Sequence, residues 1–190
     1  MPDTGAPWNI PYVAASDLVA DWPTDNQTMA EAIADALDDA GLFAQVIQTV
    51  KTDTFSTTST SFTPVTGLTA SITPAAATNK VLIIAQVALG STANGTALRL
   101  SGGNATNYVG DAAGNRIQAI IGGSSMNISQ FQDAMALVYL DSPATTSSTT
   151  YEVQLRVNSG TAYVNQSPSE IDSADYARGA SSITVLEVKA

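Results

Sequence analysis

The chain predicts a mainly β fold: a jelly-roll-like antiparallel β-sandwich preceded by an extended arm and a short α-helix. Three observations carry this. From residue 51 onward, apolar residues recur with period two in short segments. Those segments are separated by clusters rich in Gly, Asn, Ser and Thr, such as "SGGNATN", "GDAAGN" and "SPATTSST". Helical periodicity is confined to one stretch that follows "WPTD" at 22–25. Many short strands with no helix between them imply a sandwich or jelly roll rather than a parallel sheet.

Residues 1–24 form the expected arm. Pro7, Pro11 and Pro23 forbid a continuous helix and hold the residues before them extended. Trp8, Ile10, Tyr12, Leu18, Val19 and Trp22 are too apolar for a solvated tail. Large aromatics on an extended segment anchor one protein in the grooves of another. The arm therefore either docks into a partner or folds back on its own β-domain.

Residues 25–50 form the expected helical neck. Thr24 offers an N-cap, with Gln27 as the other half of a capping box. In "MAEAIADALDDAG", Met29, Ile33 and Leu37 share one face, and Gly41 suits the position just past the helix end. A helix of about a dozen residues is marginal alone in water. Its stripe must be buried, either on the β-domain or against copies of itself. After Gly41, "LFAQVIQTV" continues as a second short helix or as an extended run-in to the sheet.

Residues 51–190 form the β-domain. Strands are expected at 68–73, 80–89, 97–101, 116–123, 133–141, 150–158, 161–165 and 182–189, with a run-in strand near Phe55 or Phe62. "KVLIIAQVAL" is a near-continuous apolar run, the pattern of a central strand covered on both faces. "TYEVQLRVN" places Tyr151, Val153, Leu155 and Val157 on one face, and Ser159-Gly160 signals a hairpin to "TAYVN". The glycine pairs at 102–103 and 122–123 are expected in turns.

Composition narrows the chemistry. There is no Cys and no His, which excludes disulfides, thiolate nucleophiles, zinc sites of the Cys/His kind and a Ser-His-Asp triad. The net charge of −10 repels phosphate backbones and anionic membranes, so no nucleic acid is expected as partner. The first residues show no basic or apolar signal-peptide region, and no apolar run reaches the ~20 residues of a membrane span. Charged residues make up 13%, and the surface is expected to be polar but largely uncharged, as in many secreted and virion proteins. Glu170, Asp172 and Asp175, and the loop Asp111–Asn115, offer oxygens to calcium, but neither has the ligand density of an EF-hand loop. Carboxylates are few and lie in turn-like segments, so no enzyme, cofactor or metal is expected. Arg178 is expected on the exposed surface, with Asp172, Asp175 or a neighbouring subunit as the alternative partners.

The stretch "PWNIPYVAASDLVADWPTDNQTMAEAIADAL" resembles the N-terminal segment of many tailed-bacteriophage virion proteins, especially minor tail proteins and fibres. Shared features are an aromatic "N-x-P-Y" motif, an "SDLV" step and a short acidic helix. The closing section "YEVQLRVNSGTAYVNQS…ARGASSITVLEV" is similar to the β-sandwiches of phage fibre-like and head-decoration proteins. The resemblance implies virion attachment through Trp8, Asn9, Pro11, Tyr12, Asp17, Leu18, Val19 and Trp22. It implies a homotrimer with Met29, Ile33 and Leu37 facing the three-fold axis, burying also part of the β-domain sides. The expected partners are other virion proteins of tail or capsid, copies of the chain, and a host-surface glycan or protein. A short tail fibre or spike, a head fibre or decoration protein, and a carbohydrate-binding module remain as alternatives; the chain has no long shaft of repeats.

Overall fold

The computed structural model describes residues 22–39, 41, 43–124 and 131–190. The arm positions Trp8, Asn9, Pro11, Tyr12, Asp17, Leu18 and Val19 lie outside the described residues, as do the side chains of Trp22 and Leu37. The chain divides into two units, Met1–Leu42 and Phe43–Ala190.

In the first unit, helix α1 spans Trp22–Asp39, 18 residues rather than about a dozen. Trp22, expected at the end of the arm, opens the helix. Pro23 then stands in the first turn, where a missing N–H leaves no bond unmade. The capping box does not form. Thr24 is already helical: its carbonyl accepts the Thr28 hydroxyl at 2.8 Å, while Gln27 bonds forward to Glu31 at 2.8 Å.

The second unit contains ten strands among its described residues: β1 Phe43–Lys51, β2 Phe55–Thr57, β3 Thr63–Ile72, β4 Lys80–Ser91, β5 Thr96–Ser101, β6 Ile121–Ser124, β7 Asp133–Asp141, β8 Thr149–Arg156, β9 Ala162–Val164 and β10 Ser181–Val188. The β-domain thus begins at Phe43 and not at 51. "FAQVIQTVK" carries apolar residues on both faces, so its local pattern leaves helix and strand open. Antiparallel pairing with β10 along its length makes it a strand.

The strands form two antiparallel sheets. The first has the order β1-β10-β4-β9-β2, with β7 on the other edge of β4; the second has the order β3-β8-β5-β6. With the short β2 and β9 set aside, the remaining eight strands, renumbered along the chain, read 1-8-3-6 in one sheet and 2-7-4-5 in the other. That interleaving of two Greek keys is the jelly roll. β4 is the hinge of the first sheet: β10 pairs with it up to Gln86, β9 takes over from Leu89, and β7 runs along its far edge.

The core lies between the sheets. Ile83, Val87, Leu137 and Ile183 point in from the first, and Leu68, Leu100, Val153 and Leu155 from the second; all are buried. Inward and outward residues alternate on most strands, as one shared core requires.

Three local expectations are corrected. Ser159-Gly160 does not close a hairpin: β8 pairs in the second sheet and β9 in the first, so this turn is a corner between sheets. Gly160 has φ +84, and an added Cβ would lie 2.8 Å from Ala93 Cα, so the close approach of two chain segments needs glycine there. The strand expected at 116–123 shrinks to Ile121–Ser124, which places Gly122 inside a strand and not in a turn. Third, among the described residues of the sandwich β4 is covered on one face only, since Ile84 on its outer face is exposed.

Candidate interaction surfaces

The outer face of the first sheet is largely apolar, with Gln48, Thr184, Ser182 and Gln86 as its polar positions and Gln48 Nε2 donating to the Thr184 hydroxyl at 2.9 Å. Register aligns Val46, Leu186, Leu82 and Leu140 in one row across β1, β10, β4 and β7. The next row is Gln48, Thr184, Ile84 and Val138. Val46, Val50, Ile84, Val138 and Leu140 are between 41% and 58% exposed. Among the outward positions of these four strands the only charge is Lys80, and there is no carboxylate, in a chain of net charge −10. Monomeric proteins rarely leave a contiguous apolar patch of more than a few hundred Å² in water. These residues were not singled out from the sequence. The available signal was the near-continuous apolar run of β4, matched by "DAMALVYLD" in β7.

The outer face of the second sheet is its opposite. Arg99 Nε donates to Gln154 at 2.8 Å, and Gln154 donates to Glu152 at 2.7 Å. Ser71 and Thr150 share a hydroxyl bond at 2.7 Å. The Arg99 guanidinium lies 4.2 Å above the Phe62 ring centroid. Such a face satisfies itself and is suited to water.

At one end the apolar face is bounded by the segment 175–179. Gln132 donates to the Ala177 carbonyl. An added Cβ on Gly179 would lie 2.7 Å from Ala88, so this segment rests directly on the sheet. Beside it a cleft of ≈ 320 Å³ is lined by Glu170, Asp172, Tyr176 and Arg178. Arg178 pairs with Glu170 rather than with Asp172 or Asp175. That pair is surface-exposed and contributes little stability. Among the described residues no three His, Cys, Asp or Glu side chains cluster to hold a metal ion.

Buried polar groups anchor the sandwich ends. Glu187 is buried at the end of β10 and accepts from Asn79 Nδ2 at 2.7 Å, the Ala75 amide at 2.6 Å and Gln45 Nε2. Burial raises its carboxyl, but these hydrogen bonds outweigh it and hold it below the ordinary value. Asp141, buried at the end of β7, accepts the Tyr151 hydroxyl at 2.6 Å and the Asn104 amide at 3.2 Å. Burial first, and then this bond to a carboxylate, push the Tyr151 hydroxyl well above its usual range. Gly103, at φ +50, passes so close to Asp141 that a Cβ would sit 2.1 Å from its oxygen. The turn expected at 102–103 thus serves to seat a buried carboxylate.

On helix α1, Met29 is half-buried and Ile33 is 39% exposed. No helix among the described residues is long and apolar enough to cross a membrane.

No family model matches the chain, and no curated protein sequence does. Among solved structures, it is similar to the VP2 subviral particle of infectious bursal disease virus, at 14% identity and TM-score 0.34, over 76% of this chain and 42% of that one. It is similar also to the Gx strain structure of the same virus, at 12% identity and TM-score 0.34, over 77% of this chain and 38% of that one. The chain spans about two fifths of the length of those proteins, and the likeness is weak.

Proposed function

We propose that the chain is a non-enzymatic structural protein of a phage particle. It acts as a short homotrimeric, tail-associated fibre or spike. Residues 1–24 attach it to another virion protein, α1 forms the three-fold neck, and the jelly roll faces the medium, where it meets a host-surface glycan or protein. The observation that carries this reading is the order of parts. An aromatic leader with the "N-x-P-Y" and "SDLV" steps runs into a helix whose stripe leaves Ile33 exposed in the single chain, and a separate β-sandwich unit follows. An exposed isoleucine on an amphipathic helix calls for a partner, and identical helices supply one. The alternative within the same class, a head fibre or capsid decoration protein, differs only in what the leader docks on.

Light scattering tests the neck. The full chain is expected near three times 19.5 kDa, and Ile33→Asp is expected to release smaller species with the β-sheet circular dichroism retained. A monomeric full chain at micromolar concentration would overturn the reading. Immunogold electron microscopy of particles then separates tail from head.

A further inference from the structure

We infer that the outer face of the first sheet, centred on Leu82, Ile84, Val138 and Leu186, is an interface between copies of this chain. The inference rests on the homotrimer reading and names the sandwich surface that the assembly buries.

Four features of the face point to a second copy as its occupant. First, β4 and β7 have the near-continuous apolar pattern of strands buried on both faces, and the described residues of the sandwich bury only one. Second, the outward strand positions of the face carry no carboxylate, although the chain carries 17 acidic residues; Asp133 and Asp175 lie at its Ala88–Ala134 end. Two copies of a −10 chain repel each other at most contact geometries; the centre of this face brings no carboxylate of its own into a contact between copies. Third, the layout is that of an interface: apolar at the centre, with Lys80 at one end and the polar segment 170–179 at the other.

Fourth, the size fits a contact that works together with another one. Four strands at ~4.8 Å spacing and about seven residues at ~3.3 Å give a flat footprint of roughly 450 Å². A stable interface removes on the order of 800 Å² from each partner. Corrugation by side chains brings the accessible area closer to that figure, yet the face alone stays at the low end. The helix stripe alone is also short for a coiled coil.

The test uses the full chain. It contains no cysteine, so Ile84→Cys gives a single thiol on a clean background. With a short bismaleimide, this variant is expected to yield a covalent dimer band in most of the protein, whereas Ser71→Cys on the opposite sheet yields little. Val138→Lys and Leu82→Lys are expected to lower the light-scattering mass at micromolar concentration, or raise the midpoint concentration for assembly at least tenfold. Both positions point outward, and retained β-sheet circular dichroism confirms folding. If Ile84→Cys does not cross-link between chains and the lysine variants keep the wild-type mass, the inference is overturned; the face then serves the leader or another virion protein. Ile33→Asp separates the two ideas. Loss of assembly in Ile33→Asp but not in the face variants leaves the neck standing and removes this interface. Loss in the face variants alone supports the interface and removes the neck.

Discussion

The two outer faces of the sandwich share one core and one strand geometry, yet they solve the problem of facing outward in opposite ways. On the second sheet, Arg99, Gln154 and Glu152 hydrogen-bond in a chain across neighbouring strands, and Ser71 meets Thr150. On the first, Val46, Leu186, Leu82 and Leu140 line up with nothing polar between them, and the next row pairs a bonded Gln48 and Thr184 with Ile84 and Val138. Polar residues that bond one another have no need of a partner molecule. Apolar residues in a row gain free energy only when water is removed from them, at about 25 cal/mol per Å². The difference marks one face for solvent and the other for contact, although both sheets have the same inward packing.

That comparison can be broken at its base. Ile83→Ala on the first sheet and Leu155→Ala on the second remove fully buried side chains from the same core. Each is expected to cost about 2–5 kcal/mol in denaturant unfolding. A near-zero cost on one side only would mean that the sheets do not share a core, and the contrast between their outer faces would lose its basis.

A smaller effect sharpens the first sheet's account. Glu187→Gln is expected to cost about 1–3 kcal/mol at neutral pH, since the Asn79, Ala75 and Gln45 donors lose a charged acceptor. The folded carboxyl lies below its ordinary value of 4.5, so its contribution is present above that pH. It is lost as pH falls through the lower folded value. Melting temperature followed against pH should therefore show wild type and variant separated at pH 7 and converging in acid. A gap that stays constant down to pH 2 would exclude this role.

The smallest effect belongs to the polar face. Arg99→Ala removes the bond to Gln154 and the contact over Phe62, both part-exposed. A loss of roughly 0.5–1.5 kcal/mol is expected, shrinking with added salt. A loss as large as that of the core variants would show that this face is a structural network and not a solvated one.

Much of this architecture was legible because alternation is a local property. Period two marks the strands at 68–73, 97–101, 150–158 and 182–189, and apolar runs mark those at 80–89 and 133–141; β3, β4, β5, β7, β8 and β10 overlap them. The same signal failed at β1, where Val46, Ile47 and Val50 put apolar side chains on both faces and the period vanished. It failed at Ser159-Gly160 for a different reason. A tight turn with a positive-φ glycine serves a hairpin and a corner between sheets equally well, and only the pairing of β8 with β5 and of β9 with β4 distinguishes them.

The candidate surface shows the same division. The apolar run of β4 predicts a strand covered on both faces, and β7 is strongly apolar. A run of that kind records that both faces avoid water; it does not say whether the second cover comes from the same chain. The class of fold, the place of the helix, the exclusion of thiol and imidazole chemistry and the strands with two apolar faces follow from residue identity and short-range period. The strand order, the seating of Asp141 and Glu187, and which apolar face stays exposed do not. Those depend on pairing between segments far apart in the chain, where hydrogen-bond register, not local pattern, selects the neighbours.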